Sequence, residues 1–231
     1  MATSRAVIFA NGQMRNAEAV RRELLPEDFL IAADGGLRHL RKLRRLPHVI
    51  VGDLDSLPKG EKRKLERAKI RVVHHPADKD QTDLELALDL AVQEGHAPIL
   101  VLAPFGGRVD QTLANLLLLN REDLRERSIR LFDGQTEAFV IAGHASVRGR
   151  QGDVVSLIPL AGEVQGIVTQ GLHYPLHEEP LHLSRTRGVS NRLSDPVANI
   201  AVREGLLLCI HIFQHHRARV QGPATSRGRS K

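Results

Sequence analysis

Phe29-Leu30-Ile31-Ala32-Ala33 runs directly into Asp34-Gly35-Gly36, and this junction sets the reading of the chain. Three more apolar runs end the same way. His48-Val49-Ile50-Val51 meets Gly52-Asp53-Leu54-Asp55-Ser56, and Ile70-Arg71-Val72-Val73 leads to Asp78-Lys79-Asp80-Gln81-Thr82-Asp83. Pro98-Ile99-Leu100-Val101-Leu102 leads to Gly106-Gly107-Arg108-Val109-Asp110. A parallel α/β sheet opens every such loop on its carboxyl edge, where ligands bind. Carboxylates distant in sequence converge there, and they repel unless a proton or a cation neutralises them. Mg²⁺ with a polyphosphate suits such an edge, because it takes one or two carboxylates plus phosphate oxygens.

Outward from these junctions, the first 142 residues alternate β-branched runs with helical patterns. Ala6-Val7-Ile8-Phe9-Ala10 reads as a first strand ending at Asn11-Gly12, with helix signals near 16–24, 36–45, 58–68, 82–94 and 110–120. That order predicts an α/β N-terminal domain with a mainly parallel sheet. Thr82-Asp83-Leu84-Glu85 matches a capping box, and Leu84, Ala87, Leu88 and Ala91 then follow as one helical stripe. Past Gly143 the texture changes to short β-rich segments punctuated by Gly149, Gly152, Gly162, Gly166, Gly171 and Gly188. Val154–Ile158 and Leu206–Ile212 read as strands. Residues 143–216 are expected to form a smaller all-β sandwich domain, with the linker near 142–145.

Composition bounds the function classes. The net charge of the 231 residues is +6, but residues 217–231 hold five basic residues and no acids, so nearly all of it sits in a tail. That tail reads as a solvated, disordered terminus; a nucleic-acid role is the weaker alternative, since no aromatic stacking groups accompany the charges. Arg38–Arg45 reads as a helix with a solvated basic face, or as a source of positive field toward an anion. One cysteine, Cys209, excludes an intramolecular disulfide framework and suits a reducing compartment. The N-terminus lacks a signal-like apolar stretch, and no apolar run approaches a membrane span. The expectation is a soluble, cytoplasmic protein without membrane partners.

The residues favour one chemistry. Asp53 and Asp55 at i and i+2 can share a cation in a turn, and Asp80 with Asp83 adds a second pair. Lys79 and Arg108 supply cations for phosphate oxygens, Arg108 as a bidentate fork. Gly35-Gly36 and Gly106-Gly107 let backbone approach a ligand closely, although each also fits a plain tight turn. A single Asp at a helix start is explained by the helix dipole; five at strand-to-helix junctions are not. The twelve His show no zinc spacing with Cys, His211 reads as packed, and Cys209 as inert. Neither a G-x-S-x-G elbow nor a G-x-x-x-x-G-K-[ST] loop is present.

The ordered series ADGG (33–36), GDLDS (52–56), DKDQTDL (78–84), GGRVDQTLAN (106–115), GLHYPL (171–176) and GVSN (188–191) resembles the thiamine diphosphokinase family. The resemblance covers most of residues 6–213. It implies transfer of diphosphate from ATP to the hydroxyl of thiamine, with AMP released, in a homodimer whose active sites are shared between chains. It implies that Asp53, Asp55 and Asp83 hold Mg²⁺, with Asp80 and Asp34 completing the acidic edge. Gly35, Gly36, Ser56, Lys79, Thr82, Gly107, Arg108 and Asp110 would contact ATP, and Ser190 and Asn191 would approach thiamine. Asp83 would accept the hydroxyl proton. Two positions depart from the family pattern: Gln111 where His is common, and Arg192 where Glu is commoner. With no Trp in the chain, Tyr174 or an aliphatic wall must face the thiamine rings. A different Mg-dependent phosphotransferase or phosphohydrolase, and a non-catalytic thiamine or nucleotide binder, remain as alternatives.

Overall fold

The computed structural model describes residues 4–52, 65, 67–74 and 80–214. Among them, β1 (Ala6–Phe9), β2 (Phe29–Ala33), β3 (Val49–Val51), β4 (Arg71–Val73), β5 (Ile99–Leu102) and β6 (Arg130–Phe132) pair in parallel. Their order is β6-β5-β1-β2-β3-β4. The chain winds from β1 to β4 on one side, then crosses back through the Asp83–Gln93 helix to β5 on the other side of β1. β1 is therefore the topological switch point, where an open α/β sheet leaves a crevice.

Alternation along these strands fills both faces. Ile8, Ile31, Val49, Val51 and Val101 pack with the Asp83–Gln93 helix, while Val7, Phe9, Leu30, Ile50 and Leu102 pack under the Leu37–Lys42 helix. Thr82 caps the Asp83–Gln93 helix as expected, its Oγ1 accepting from the Glu85 N–H at 3.2 Å. The buried face is broader than a single stripe, because Leu86 and Leu90 are buried along with Leu84, Ala87, Leu88 and Ala91. Arg121, which follows the Leu118–Asn120 turn, bonds Asp89 at 2.7 Å and so closes the outer side of this helix. The helix expected at 58–68 lies mostly outside the described residues; Leu65 is helical and buried.

The remaining strands are β7 (Thr136–Ile141), β8 (His144–Arg148), β9 (Val154–Pro159), β10 (Val164–Gln170), β11 (His177–Leu181), β12 (Asn191–Arg192), β13 (Val197–Ala201) and β14 (Leu207–Ile212). The all-β part is a sandwich, but one of its two layers is the continuation of the parallel sheet. β7 turns antiparallel onto β6, and β14, β9 and β12 follow, giving ten strands in a single sheet. The chain leaves that sheet at Gly143, whose φ of +100° makes the turn from β7 into β8. The second layer is β11-β10-β13-β8. Ile141, Val155, Leu157, Leu207 and Cys209 meet Val147, Ile167, Ala198 and Ile200 between the layers.

The register aligns one edge across both parts. Val154, Ile212 and Thr136 lie in a row. One residue on, Glu137 pairs with Phe132, and that row runs through Leu102 and Phe9 to the carboxyl ends of the parallel strands. Sandwich loops near Arg192, which pairs with Val154, therefore open on the same edge as the switch point.

Candidate active site at the switch point

Three strand ends build the crevice. Past β1, Asn11 and Gly12 turn over β5. The Gly12 N–H donates to the Ala103 carbonyl at 2.9 Å, and the Gln13 N–H to that of Phe105 at 2.5 Å. A Cβ on Gly12 would collide with the Phe105 carbonyl, so this position requires glycine. Arg38 reaches back from its helix and donates to the Asn11 and Gly12 carbonyls, both at 2.7 Å, while buried His39 sits 3.0 Å from the Gly12 oxygen. Burial holds His39 below the usual imidazole range, which keeps it neutral against this carbonyl. The basic stretch read as solvated thus contributes one guanidinium that fixes the first turn of the site.

Past β2, Asp34 adopts φ +43°, a left-handed conformation that costs a non-glycine residue about 1 kcal/mol or more. That bend sends its carboxylate to within 3.5 Å of the Asn11 amide nitrogen. Gly35 and Gly36 lie where a side chain would strike Asn11 and the Phe9 carbonyl, respectively. Their glycines are needed for packing against β1.

Past β5, Ala103 at φ +54° throws the chain into Pro104-Phe105-Gly106-Gly107-Arg108. Asn115 donates to the Pro104 carbonyl at 2.7 Å, and the Gly106 N–H donates to Thr112 Oγ1 at 3.3 Å. The glycine loop is thereby fastened to the helix that follows it. A Cβ at Gly107 would meet nothing, so backbone there is open to a ligand. Arg108 forks onto Asp110 at 3.2 and 2.5 Å, which lowers the Asp110 pKa and raises that of Arg108.

These turns and the start of the Asp83–Gln93 helix enclose a cavity of about 290 Å³. Asn11, Asp34, Thr82, Asp83, Gly107 and Arg108 line it. The structure thus brings together five of the residues expected from sequence and adds Asn11, Gly12, Gln111 and Asn115 to the lining. Asp80 and Asp110 are exposed nearby and are not part of the wall. Asp53, Asp55, Ser56 and Lys79 lie outside the described residues. A larger groove of about 790 Å³ runs beside β7 and β8, past Phe139, Ile141 and Val147. It contains none of the predicted site residues, and its two carboxylates, Glu23 and Glu137, both pair with Arg130.

The sandwich candidates behave differently. Ser190 also has a left-handed backbone, at φ +64°, and its N–H donates to Ser156 Oγ at 3.0 Å. Asn191 is buried, and both ends of its carboxamide are hydrogen-bonded. Its Oδ1 accepts from the N–H groups of Tyr174 and Arg192 at 3.0 and 2.8 Å, and its Nδ2 donates to the Tyr174 carbonyl at 2.7 Å. What Asn191 presents at the surface is Tyr174, which is 70% exposed.

Comparison with known proteins identifies the family. Residues 20–132 match the model of the thiamin pyrophosphokinase catalytic domain, and residues 144–207 match that of the thiamin pyrophosphokinase vitamin B1 binding domain. The chain is 30% identical over 182 residues to thiamine pyrophosphokinase of Bacillus subtilis, covering 78% of this chain and 85% of that one. A crystal structure of thiamine pyrophosphokinase from Bacillus subtilis superimposes with a TM-score of 0.82 at 27% identity, over 91% of this chain and 100% of that one. The yeast thiamin pyrophosphokinase structure, at 18% identity and a TM-score of 0.74, shares the fold over 92% of this chain and 87% of that one.

Proposed function

The chain belongs to the thiamine pyrophosphokinase family, an alternative name for the thiamine diphosphokinases, and from that premise we propose its reaction. It transfers the terminal diphosphate of ATP to the hydroxyl of thiamine and releases AMP. The observation that carries this reading is the switch-point cavity, where Asp34 and Asp83 from different strand ends face the open Gly107 backbone and Arg108.

A polyphosphate fits such a wall only with a cation to offset the carboxylates. Two carboxylates with a carboxamide suit a hard ion whose other ligands are phosphate oxygens. Among the described residues, no three His, Cys, Asp or Glu gather into a metal site by themselves. We assign Asp53, Asp55 and Asp83 as the residues that would hold Mg²⁺. When bound, the ion supplies charge neutralisation and a template for the triphosphate. The chain's own residues do the rest by alignment, since transfer of this type needs little covalent work from protein. Gly107 offers backbone N–H to the phosphates. Arg108 exchanges its fork on Asp110 for phosphate oxygens of the same planar geometry. Thr82 and Asp80 flank the chain of phosphates, and Asp83 takes the hydroxyl proton as oxygen attacks the β-phosphorus in line.

Thiamine is assigned to the sandwich edge, at Ser190 and at Tyr174 as presented by Asn191. From β12 to β1 there are six strand spacings, roughly 30 Å. Reacting atoms must meet within about 3.5 Å. A thiamine held at Ser190 therefore supports reading the active site as shared, with the phosphates on one chain and thiamine on the other chain of a homodimer. The assignment to the cytoplasm accords with the single buried thiol of Cys209, which burial pushes up in pKa. Among the described residues, no helix is long and apolar enough to cross a membrane.

The test is product analysis after incubation with Mg²⁺, ATP and thiamine. AMP and thiamine diphosphate in equal amounts, both dependent on thiamine, are expected. ADP with thiamine monophosphate would replace this reading with an ordinary kinase, and thiamine binding without product would replace it with a binding protein.

A further inference from the structure

Charge is sorted between the two faces of the parallel sheet. Residues 37–72 hold twelve Lys and Arg against four acids, whereas the chain outside them and outside the tail holds more acids than bases. Among the described residues, the Leu37–Lys42 helix and the helical residues Leu65 and Arg67 lie on one face, where Leu40, Leu43 and Leu65 join one core cluster. The Asp83–Gln93 helix covers the other face and carries Asp83, Glu85 and Asp89 with no Lys or Arg.

The ends of these helices differ as well. Each closes with an N–H returning to the carbonyl five residues back: His96 to Ala91 at 2.9 Å, Arg45 to Leu40 at 3.0 Å and Ile70 to Leu65 at 3.2 Å. The residue before that N–H is left-handed, and glycine is the usual choice. On the acidic face it is Gly95, at φ +78°; on the basic face it is Arg44 at +57° and Lys69 at +54°. The helix dipole favours a cation at such an end, but Lys42 in the last turn meets that demand without a left-handed backbone. Arg44 and Lys69 thus hold positions that local stability assigns to glycine, and both are exposed. Strain kept at a surface points to a use for the side chain.

Both cations stand on the amino edge of the sheet, at the loops that precede β3 and β4. Arg45 ties the loop before β3 to the loop before β2, donating to the Leu25 carbonyl at 3.4 Å. Two leucines protrude from these loops, Leu25 at 42% and Leu46 at 65% exposure. Of the acids there, Asp28 is buried against Arg5, and Glu27 is exposed.

We propose that this amino edge docks on an anionic lipid bilayer, with Arg44, Arg45 and Lys69 at the headgroup phosphates and Leu25 and Leu46 in the interfacial layer. A cluster of cations is drawn to an anionic leaflet, and apolar side chains beside it supply the second signal that peripheral binding needs. Nucleic-acid phosphates would engage the cations but give the two leucines no partner, so the bilayer is the better fit. Such contact requires no spanning segment. The catalytic crevice opens on the opposite, carboxyl edge, and a chain docked this way keeps it open to water-borne substrates.

The test is flotation of the full chain with vesicles of phosphatidylcholine, with or without phosphatidylglycerol. Binding is expected only where phosphatidylglycerol is present, and most of it should be lost in about 1 M salt, where the Debye length falls to about 3 Å. The double variant Arg44→Gly with Lys69→Gly removes both cations and relaxes both turns. It should bind about thirtyfold more weakly, with turnover in solution unchanged and the melting temperature equal to or above that of wild type. Leu46→Ser should bind about threefold more weakly. No flotation, equal flotation with phosphatidylcholine alone, or a double variant that floats like wild type would overturn the proposal. A double variant that melts lower would show that the two cations serve the fold instead. Retention of duplex RNA on a filter without flotation, lost in the double variant and intact in Leu46→Ser, would replace the bilayer with a nucleic acid.

Discussion

The switch-point crevice and the sandwich edge share one border of one sheet, yet they are built by different means. In the crevice, three backbone turns are pressed together by glycines and clipped by Arg38 and Asn115, and polar side chains face the cavity directly. At the sandwich edge, the conspicuous polar residue faces inward. Asn191 spends its carboxamide on Tyr174 and leaves an aromatic ring outside. The first arrangement suits a charged ligand that needs fixed countercharges, and the second suits a flat, partly apolar ring. A polar residue in a motif can thus act as a ligand or as a strut, and only its hydrogen bonds tell which.

The largest effect should come from the charged side of this contrast. Asp83→Asn removes a carboxylate from the cavity wall and should lower kcat about a thousandfold with the melting temperature unchanged. Activity within tenfold of wild type would break the distinction between the two regions. Gly36→Ala should instead act on stability. The new methyl meets the Phe9 carbonyl, and urea denaturation should show a loss of about 2 kcal/mol or more, whereas Gly107→Ala should cost less than about 1 kcal/mol and raise the KM for ATP. Asn191→Ala should release the Tyr174 loop and raise the KM for thiamine about tenfold with that for ATP unchanged, the signature of a positioning residue. A parallel rise in both KM values would mean that Asn191 supports the whole fold.

The smallest effect is a pH slope. His211 is buried on β14 with its ring nitrogens 3.4 Å from Asp153 and 4.0 Å from Glu137, and burial outweighs both carboxylates to lower its pKa. The unfolded chain then binds more protons than the folded one below about pH 6.5, so stability should fall as pH drops through that range. His39 has the same sign. His211→Gln should flatten the slope of the urea midpoint between about pH 5 and 7 without abolishing it. An unchanged slope would place the titration elsewhere.

The crevice was largely legible in the sequence, because a parallel strand is a short apolar run and its loop begins where the run stops. β2 and the start of the Asp83–Gln93 helix fall at the expected residues, and β1, β3 and β5 lie within one residue of them. Asn11 carries no distinct signal, since an Asn-Gly after a strand reads equally as a turn. The role of Asn115 has no sequence signal, because a helix pattern does not say which face meets a loop. The left-handed backbones of Asp34 and Ser190 have no sequence signature either, as neither is Gly. In the sandwich, short strands with weak alternation gave the class but not the sheet to which each strand belongs. That β7 continues the parallel sheet follows from its pairing with β6, a contact between neighbours that composition does not encode.

Tyr174 is the one tyrosine in a chain without tryptophan, so its fluorescence reports the sandwich edge alone. The most direct test of the contrast is a thiamine titration of that emission in wild type and in Asp83→Asn. Quenching with the same half-saturation within about twofold in both proteins is predicted if, as proposed, thiamine and phosphates are held by different regions. Loss of the response in Asp83→Asn, or no response in wild type, would contradict the division of the site between crevice and sandwich.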